Sequence, residues 1–185
     1  MQDYREFMDE VLVNEHIIQK RVAELGEQIS GDYAGQEVLV VCLLRGGLTF
    51  TADLTRHLTM DHTLDCMFLS SYDVGRYATS GNVRVNLDLK TNIEGMHVLL
   101  VEDIVDSGRT LAHVLEMLRT RQPKSLKVCV LLDKKYRREV PVEVDYVGFD
   151  VPDKYVFGYG IDIDEHFRYL PFIASADLEK YRKPG

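Results

Sequence analysis

Residues 98–111, Val98-Leu99-Leu100-Val101-Glu102-Asp103-Ile104-Val105-Asp106-Ser107-Gly108-Arg109-Thr110-Leu111, decide how the chain is read. The apolar run 98–101 predicts a buried strand. Two adjacent acids follow, then Asp106 and a short polar turn, and residues 111–120 predict a helix. A strand that passes through acids and a small-residue turn into a helix start suits an anionic group, because the first helical turn offers unpaired N–H groups and the positive end of its dipole. Ser107 and Thr110 add hydroxyl donors, Gly108 permits close approach of the backbone, and Arg109 adds charge. Glu102 and Asp103 stand beside this cradle, where they can accept hydrogen bonds from sugar hydroxyls. A lone acid pair after a strand is an ordinary solvated turn. Acids, hydroxyls and a glycine in this order, opening a helix, point instead to ribose 5-phosphate.

Working outward, residues 38–44 (VLVVCLL) form a second continuous apolar run that fits a strand buried on both faces. It breaks at Arg45-Gly46-Gly47, and residues 48–58 predict a helix, which makes a second strand–turn–helix unit. On its own this turn is a simple loop; beside the first motif it reads as a second anion cradle. Asn14 is a candidate helix cap, with Ile18, Val22, Leu25 and Ile29 at helical spacing to about Gly31. Residues 64–69 are apolar, 70–82 are polar and glycine-bearing, and Val83, Val85, Leu87 and Leu89 alternate as in a returning strand. Residues 127–132 and 144–149 predict two more strands. The alternation implies an α/β fold, a mostly parallel sheet flanked by helices, as a single domain over 1–185 with no repeat or linker.

Composition narrows the function. The 185 residues are 45% hydrophobic and 28% charged, with formal net charge −8, which disfavours a nucleic-acid surface. Cys42, Cys66 and Cys129 show no metal-binding spacing, and the two in apolar runs read as buried thiols. Acids interrupt the first ten residues, unlike a signal peptide, and no apolar run approaches a membrane span. The expectation is a cytoplasmic protein with no membrane partner.

The 98–111 stretch resembles the phosphoribosyl-pyrophosphate (PRPP) motif of type I phosphoribosyltransferases. Residues 147–170, VGFDVPDKYVFGYGIDIDEHFRYL, are similar to the C-terminal part of their 6-oxopurine branch, the hypoxanthine(-guanine) phosphoribosyltransferases. The resemblance runs from about residue 38 to 170 in four segments. It implies the type I fold with a small hood formed by the terminal segments. It implies a pyrophosphate loop at Leu44, Arg45 and Gly46, where the family usually has Lys in place of Arg45, and a cis peptide between Leu44 and Arg45. Arg168 would also meet pyrophosphate, and Ser71 with Tyr72 would belong to a lid. Tyr155 would stack on the purine, Val156 would meet it through the backbone, Lys134 would donate to its 6-oxo group, and Asp162 would lie near its exocyclic edge. Glu102 and Asp103 would hold the ribose hydroxyls, and Ser107, Gly108, Arg109 and Thr110 the 5-phosphate.

The implied activity is purine salvage by a glycosyltransferase. Ribose 5-phosphate passes from PRPP to hypoxanthine or guanine, giving IMP or GMP and pyrophosphate, with Asp106 exchanging a proton with the purine N7. Mg²⁺ is the implied cofactor, near Glu102, Asp103 and Asp162, and a homodimer or homotetramer the implied assembly. The alternative is a catalytically silent PRPP- or nucleotide-sensing regulator of the same fold. Neither GxGxxG nor GxxxxGK[ST] is present, which removes dinucleotide-binding and P-loop readings.

Overall fold

The computed structural model describes residues 2–71 and 83–182. Along the chain come β1 (Met8–Val13), α1 (Glu15–Asp32), β2 (Val38–Leu44), α2 (Gly47–Thr55), β3 (His62–Ser71) and β4 (Val83–Leu87). Then follow β5 (His97–Val105), α3 (Arg109–Arg119), β6 (Ser125–Asp133), β7 (Tyr146–Asp150), β8 (Tyr155–Phe157) and β9 (Ile173–Ala176). The apolar runs become the inner strands of a six-stranded sheet ordered β4-β3-β2-β5-β6-β7, parallel except for β4. Strand alternation sends Val38, Val40, Leu99 and Val101 to one face, under α1 and α2, and Leu39, Val41, Val98 and Leu100 to the other, under α3. In α1 the side chain of Asn14 accepts from the backbone N–H of Ile17, and Ile18, Val22, Leu25 and Ile29 are buried.

Several boundaries differ from the sequence expectation. β5 does not stop at Val101 but runs to Val105, because Glu102, Ile104 and Val105 continue the parallel ladder with Val130, Leu132 and Asp133 of β6. Glu102 and Asp103 are therefore strand residues. α3 starts at Arg109 rather than Leu111. α2 closes at Thr55, where i→i+3 bonds from Arg56, His57 and Leu58 tighten the last turn.

The terminal segments build a second, antiparallel sheet, β1-β9-β8, with Met8 opposite Ala176 and Val13 opposite Ile173. Phe7, Phe157, Phe167 and Leu170 pack beneath it. This is the expected hood. In the main sheet the β2–α2–β3 and β5–α3–β6 crossovers leave in opposite directions, so the strand order reverses between β2 and β5. Ligands of open α/β sheets bind at such a switch point, outside the carboxyl ends of the strands.

Candidate active site

The C-terminal ends of β2 and β5 touch through glycine. A Cβ on Gly47 would stand 3.2 Å from the carbonyl oxygen of Val101, and one on Gly46 would overlap the Asp103 carboxylate. The Leu44–Arg45 peptide is cis, as the resemblance implied. The extension of β5 decides where its acids go, since successive side chains point to opposite faces. Asp103 lines a cleft of about 730 Å³ together with Asp106, Lys134, Tyr155, Val156 and Asp162. Glu102 instead lines a smaller hollow of about 110 Å³ with Asp106, Ser107, Gly108 and Thr110. The adjacent acids thus line two hollows, which adjoin through Ile104 and Asp106.

The small hollow sits at the start of α3, capped by Gly108 at φ 83°. A side chain there would meet the Val140 carbonyl oxygen at 2.8 Å and the Arg138 side chain at 2.9 Å, so glycine is required for both conformation and space. The carbonyl of Ser107 accepts from the N–H groups of Glu139 (2.9 Å) and Val140 (3.1 Å), latching the cradle to the segment after β6. Arg109 opens α3. Its side chain turns to Glu139 at 2.7 Å and lies outside the hollow, leaving its position at the helix start as its part in the cradle.

Lys134 is buried, with 7% of its side chain exposed, where a strand-end lysine is ordinarily solvated. Its ammonium stands 3.4 Å from Asp106 Oδ2, and Arg137 Nε stands 2.8 Å from Asp106 Oδ1. Tyr155 is 44% exposed on the same cleft and Val156 is buried beside it. The purine-reading residues expected from sequence are therefore gathered in one place.

The arginines expected at pyrophosphate are also brought together. Glu165 bridges them, 2.7 Å from Arg45 and 3.1 Å from Arg168. Arg168 further contacts Asp162 (2.9 Å) and donates to the Gly160 carbonyl (2.8 Å), while a Cβ on Gly160 would overlap the Gly46 carbonyl. The C-terminal segment thus closes directly over the β2 loop. Glu165 carried no signal in sequence, nor did Arg137, because each matters only through a partner in another segment. His166 contacts Phe167 edge-on, a packing role. Tyr72 lies outside the described residues, and Ser71 is described only as the end of β3, opposite Val83.

The phosphoribosyl transferase domain profile matches residues 9–166. The chain belongs to the phosphoribosyltransferase family. Among phosphoribosyltransferases it is 48% identical to the hypoxanthine phosphoribosyltransferase of Salmonella typhimurium over 171 residues, covering 91% of this chain and 96% of that one. It is 40% identical to the hypoxanthine-guanine phosphoribosyltransferase of Streptococcus thermophilus, covering 94% and 96%. The crystal structure of a hypoxanthine phosphoribosyltransferase from Staphylococcus aureus superposes with a TM-score of 0.90 at 39% identity, covering 95% of each chain. The reading as a transferase of the type I fold stands.

The site of this phosphoribosyltransferase is electrostatically loaded against its own acids. Burial, with the Asp103 charge second, pushes the Glu102 carboxyl up to about 8, and Arg138 opposes this. Burial pushes Asp103 up to about 6; backbone N–H groups and Arg168 pull it down, and the Asp162 charge adds to the rise. Glu102 Oε2 is buried without a hydrogen-bond partner among the described residues. Among the described residues no three acids, histidines or cysteines converge to hold a metal alone, so Glu102, Asp103 and Asp162 are not a protein-only cage. Asp103 and Asp162, lining one cleft, nevertheless fit Mg²⁺, which is usually held by one or two carboxylates completed by substrate oxygens.

The unpartnered Glu102 oxygen has a measurable consequence. Because the folded chain holds this proton more tightly than the unfolded one, Glu102 costs the metal-free protein stability as pH rises from about 4.5 to about 8. Glu102→Gln is expected to melt near the parent at about pH 5 and above it at about pH 8.5, by an amount on the order of 1–3 kcal/mol for an unsatisfied buried group. Melting curves at the two pH values check this; an equal difference at both would show that the carboxyl is not strained by burial.

Proposed function

We propose that this chain transfers the 5-phosphoribosyl group of PRPP to a 6-oxopurine, hypoxanthine and also guanine, in purine salvage. The observation that carries the reading is the buried Lys134 beside Asp106, a donor and a proton acceptor together on one cleft with the exposed ring of Tyr155. A 6-oxopurine presents acceptors to Lys134 and a ring face to Tyr155. Ser107, Gly108, Thr110 and the start of α3 hold the 5-phosphate, and Glu102 accepts from ribose hydroxyls nearby. N9 of the base bonds to the anomeric carbon as the bond to pyrophosphate breaks, and Asp106 takes the proton released at N7. Arg45 and Arg168 receive the leaving pyrophosphate once Glu165 yields them. Asp103 and Asp162 would hold Mg²⁺, which would supply charge neutralisation for that polyanion. The hood, whose Tyr155 and Val156 line the cleft, shields the electron-deficient sugar from water.

Three further features belong to this reading. Self-association as a homodimer or homotetramer is supported by the relative from Trypanosoma cruzi, a hypoxanthine phosphoribosyl transferase whose C-terminal region was studied for its role in oligomeric state and enzymatic activity. No helix among the described residues is long and apolar enough to cross a membrane. A cytoplasmic place for the reaction is supported by three free cysteines.

The test is release of pyrophosphate from PRPP on addition of hypoxanthine, with Mg²⁺ and with excess chelator. Base-dependent release that chelator abolishes is expected. PRPP binding with no release for any 6-oxopurine would favour the silent sensor, and full turnover in chelator would remove Mg²⁺.

A further inference from the structure

Asp106 has a carboxylate with a separate cation on each oxygen, Lys134 on Oδ2 at 3.4 Å and Arg137 Nε on Oδ1 at 2.8 Å. The two cations are held differently. Lys134 is fixed by burial. Arg137 is half exposed, in the 3-10 turn Lys135–Arg137 on the cleft rim, and nothing in its own turn prevents it from swinging into solvent. Its restraint comes from another segment. Arg137 Nη1 stands 3.0 Å from Asp153 Oδ1, in the turn that leads into β8. All four residues line one cleft, so a chain Asp153–Arg137–Asp106 runs across it with Lys134 closing the far side.

We propose that Arg137 and Asp153 are positioning residues that set the plane of the Asp106 carboxylate for proton exchange with the base. The inference rests on the proposed role of Asp106. A carboxylate at the end of a strand rotates about its last bond unless both oxygens are engaged, and hydrogen bonds to it lie close to its plane. One donor per oxygen fixes that plane and leaves a lone pair on each oxygen for the purine. The planar guanidinium suits the task because Nε and Nη1 diverge rigidly, so Asp153 sets the direction in which Nε points. Half-exposed ion pairs of this kind add little to stability, so the chain acts on turnover and not on folding.

The test is a double-mutant cycle of Arg137→Ala with Asp106→Asn, together with Asp153→Asn, reading kcat, the KM for PRPP, PRPP binding at equilibrium, and melting. Misplacing a reacting group by about 1 Å can cost on the order of 10²-fold. Arg137→Ala is therefore expected to lower kcat by about 10–10²-fold with the KM for PRPP within about twofold, and Asp153→Asn to lower it less, in the same pattern. In the Asp106→Asn background Arg137→Ala is expected to cause no further loss, because there is no carboxylate left to orient. The same fold-loss in both backgrounds, or an unchanged kcat in Arg137→Ala, overturns the proposal. If Asp106→Asn alone keeps near-normal turnover, the reading of Asp106 has failed first and the proposal falls with it. Asp153→Asn touches neither Asp106 nor its strand, so it still decides the matter should Arg137→Ala fold poorly.

Discussion

Asp106→Asn lowers turnover with hypoxanthine by about 10²–10⁴-fold, the usual contribution of a general acid–base group, while PRPP binding stays within a few-fold. The expectation follows from where Asp106 stands. With Ile104 it lines both compartments, the small hollow proposed for the 5-phosphate and the larger cleft proposed for the base. Its carboxylate faces Lys134 and Arg137 and not the cradle's donors, so the phosphate does not depend on its charge. Asn keeps the size and one acceptor oxygen but cannot take a proton. Single-turnover kinetics beside equilibrium binding of PRPP separate the two steps. Weakened PRPP binding with near-normal chemistry would reassign Asp106 to the sugar.

Much of this site could be read from the chain because its chemistry is local in sequence. The cradle is strand end, turn and helix start within one stretch, and its hydroxyls and Gly108 sit where the backbone needs them. The inner strands were legible for a related reason. A strand buried on both faces must be apolar throughout, and β2 matches the run 38–44 to the residue. β1 and β9 were not legible, since Met8–Val13 carries Asp9 and Glu10 and pairs with a segment at the far end of the chain. The separation of Glu102 from Asp103 did leave a signal. Ile104 and Val105 resume the apolar pattern after the acids, and reading β5 through them would have put the two side chains on opposite faces. The direction of the Arg109 side chain was not legible, because Glu139 is thirty residues away and only the folded chain brings it near. Glu165 and Arg137 were missed likewise: charged residues on turns read as solvated until the structure places them against their partners.

The base itself gives the sharpest discrimination. Adenine is expected to be used at about 10⁻⁴ of the kcat/KM of hypoxanthine or less, because a site built around one hydrogen bond rejects a ligand that leaves a buried group unpaired. Lys134 is that group. Its ammonium can only donate, its side chain is buried, and its backbone N–H is tied to the Val105 carbonyl at 3.0 Å, so it cannot withdraw to solvent when the wrong base arrives. The 6-oxo group accepts from it, whereas the 6-amino group of adenine presents hydrogens to a cation. Lys134→Met keeps the buried stem and removes the charge. It is expected to lower kcat/KM for hypoxanthine and guanine by about 10–10²-fold, the scale of a hydrogen bond from a charged donor. PRPP affinity should stay within a few-fold, since Lys134 lines the base cleft and not the cradle. Adenine use should fall less than hypoxanthine use in the variant, because adenine takes no hydrogen bond from the lysine and loses only its hold on Asp106 Oδ2. Competition among hypoxanthine, guanine and adenine in the parent and in Lys134→Met measures all three expectations. Comparable kcat/KM for adenine and hypoxanthine in the parent would show that Lys134 does not read the base, and the assignment to 6-oxopurines would fall with it.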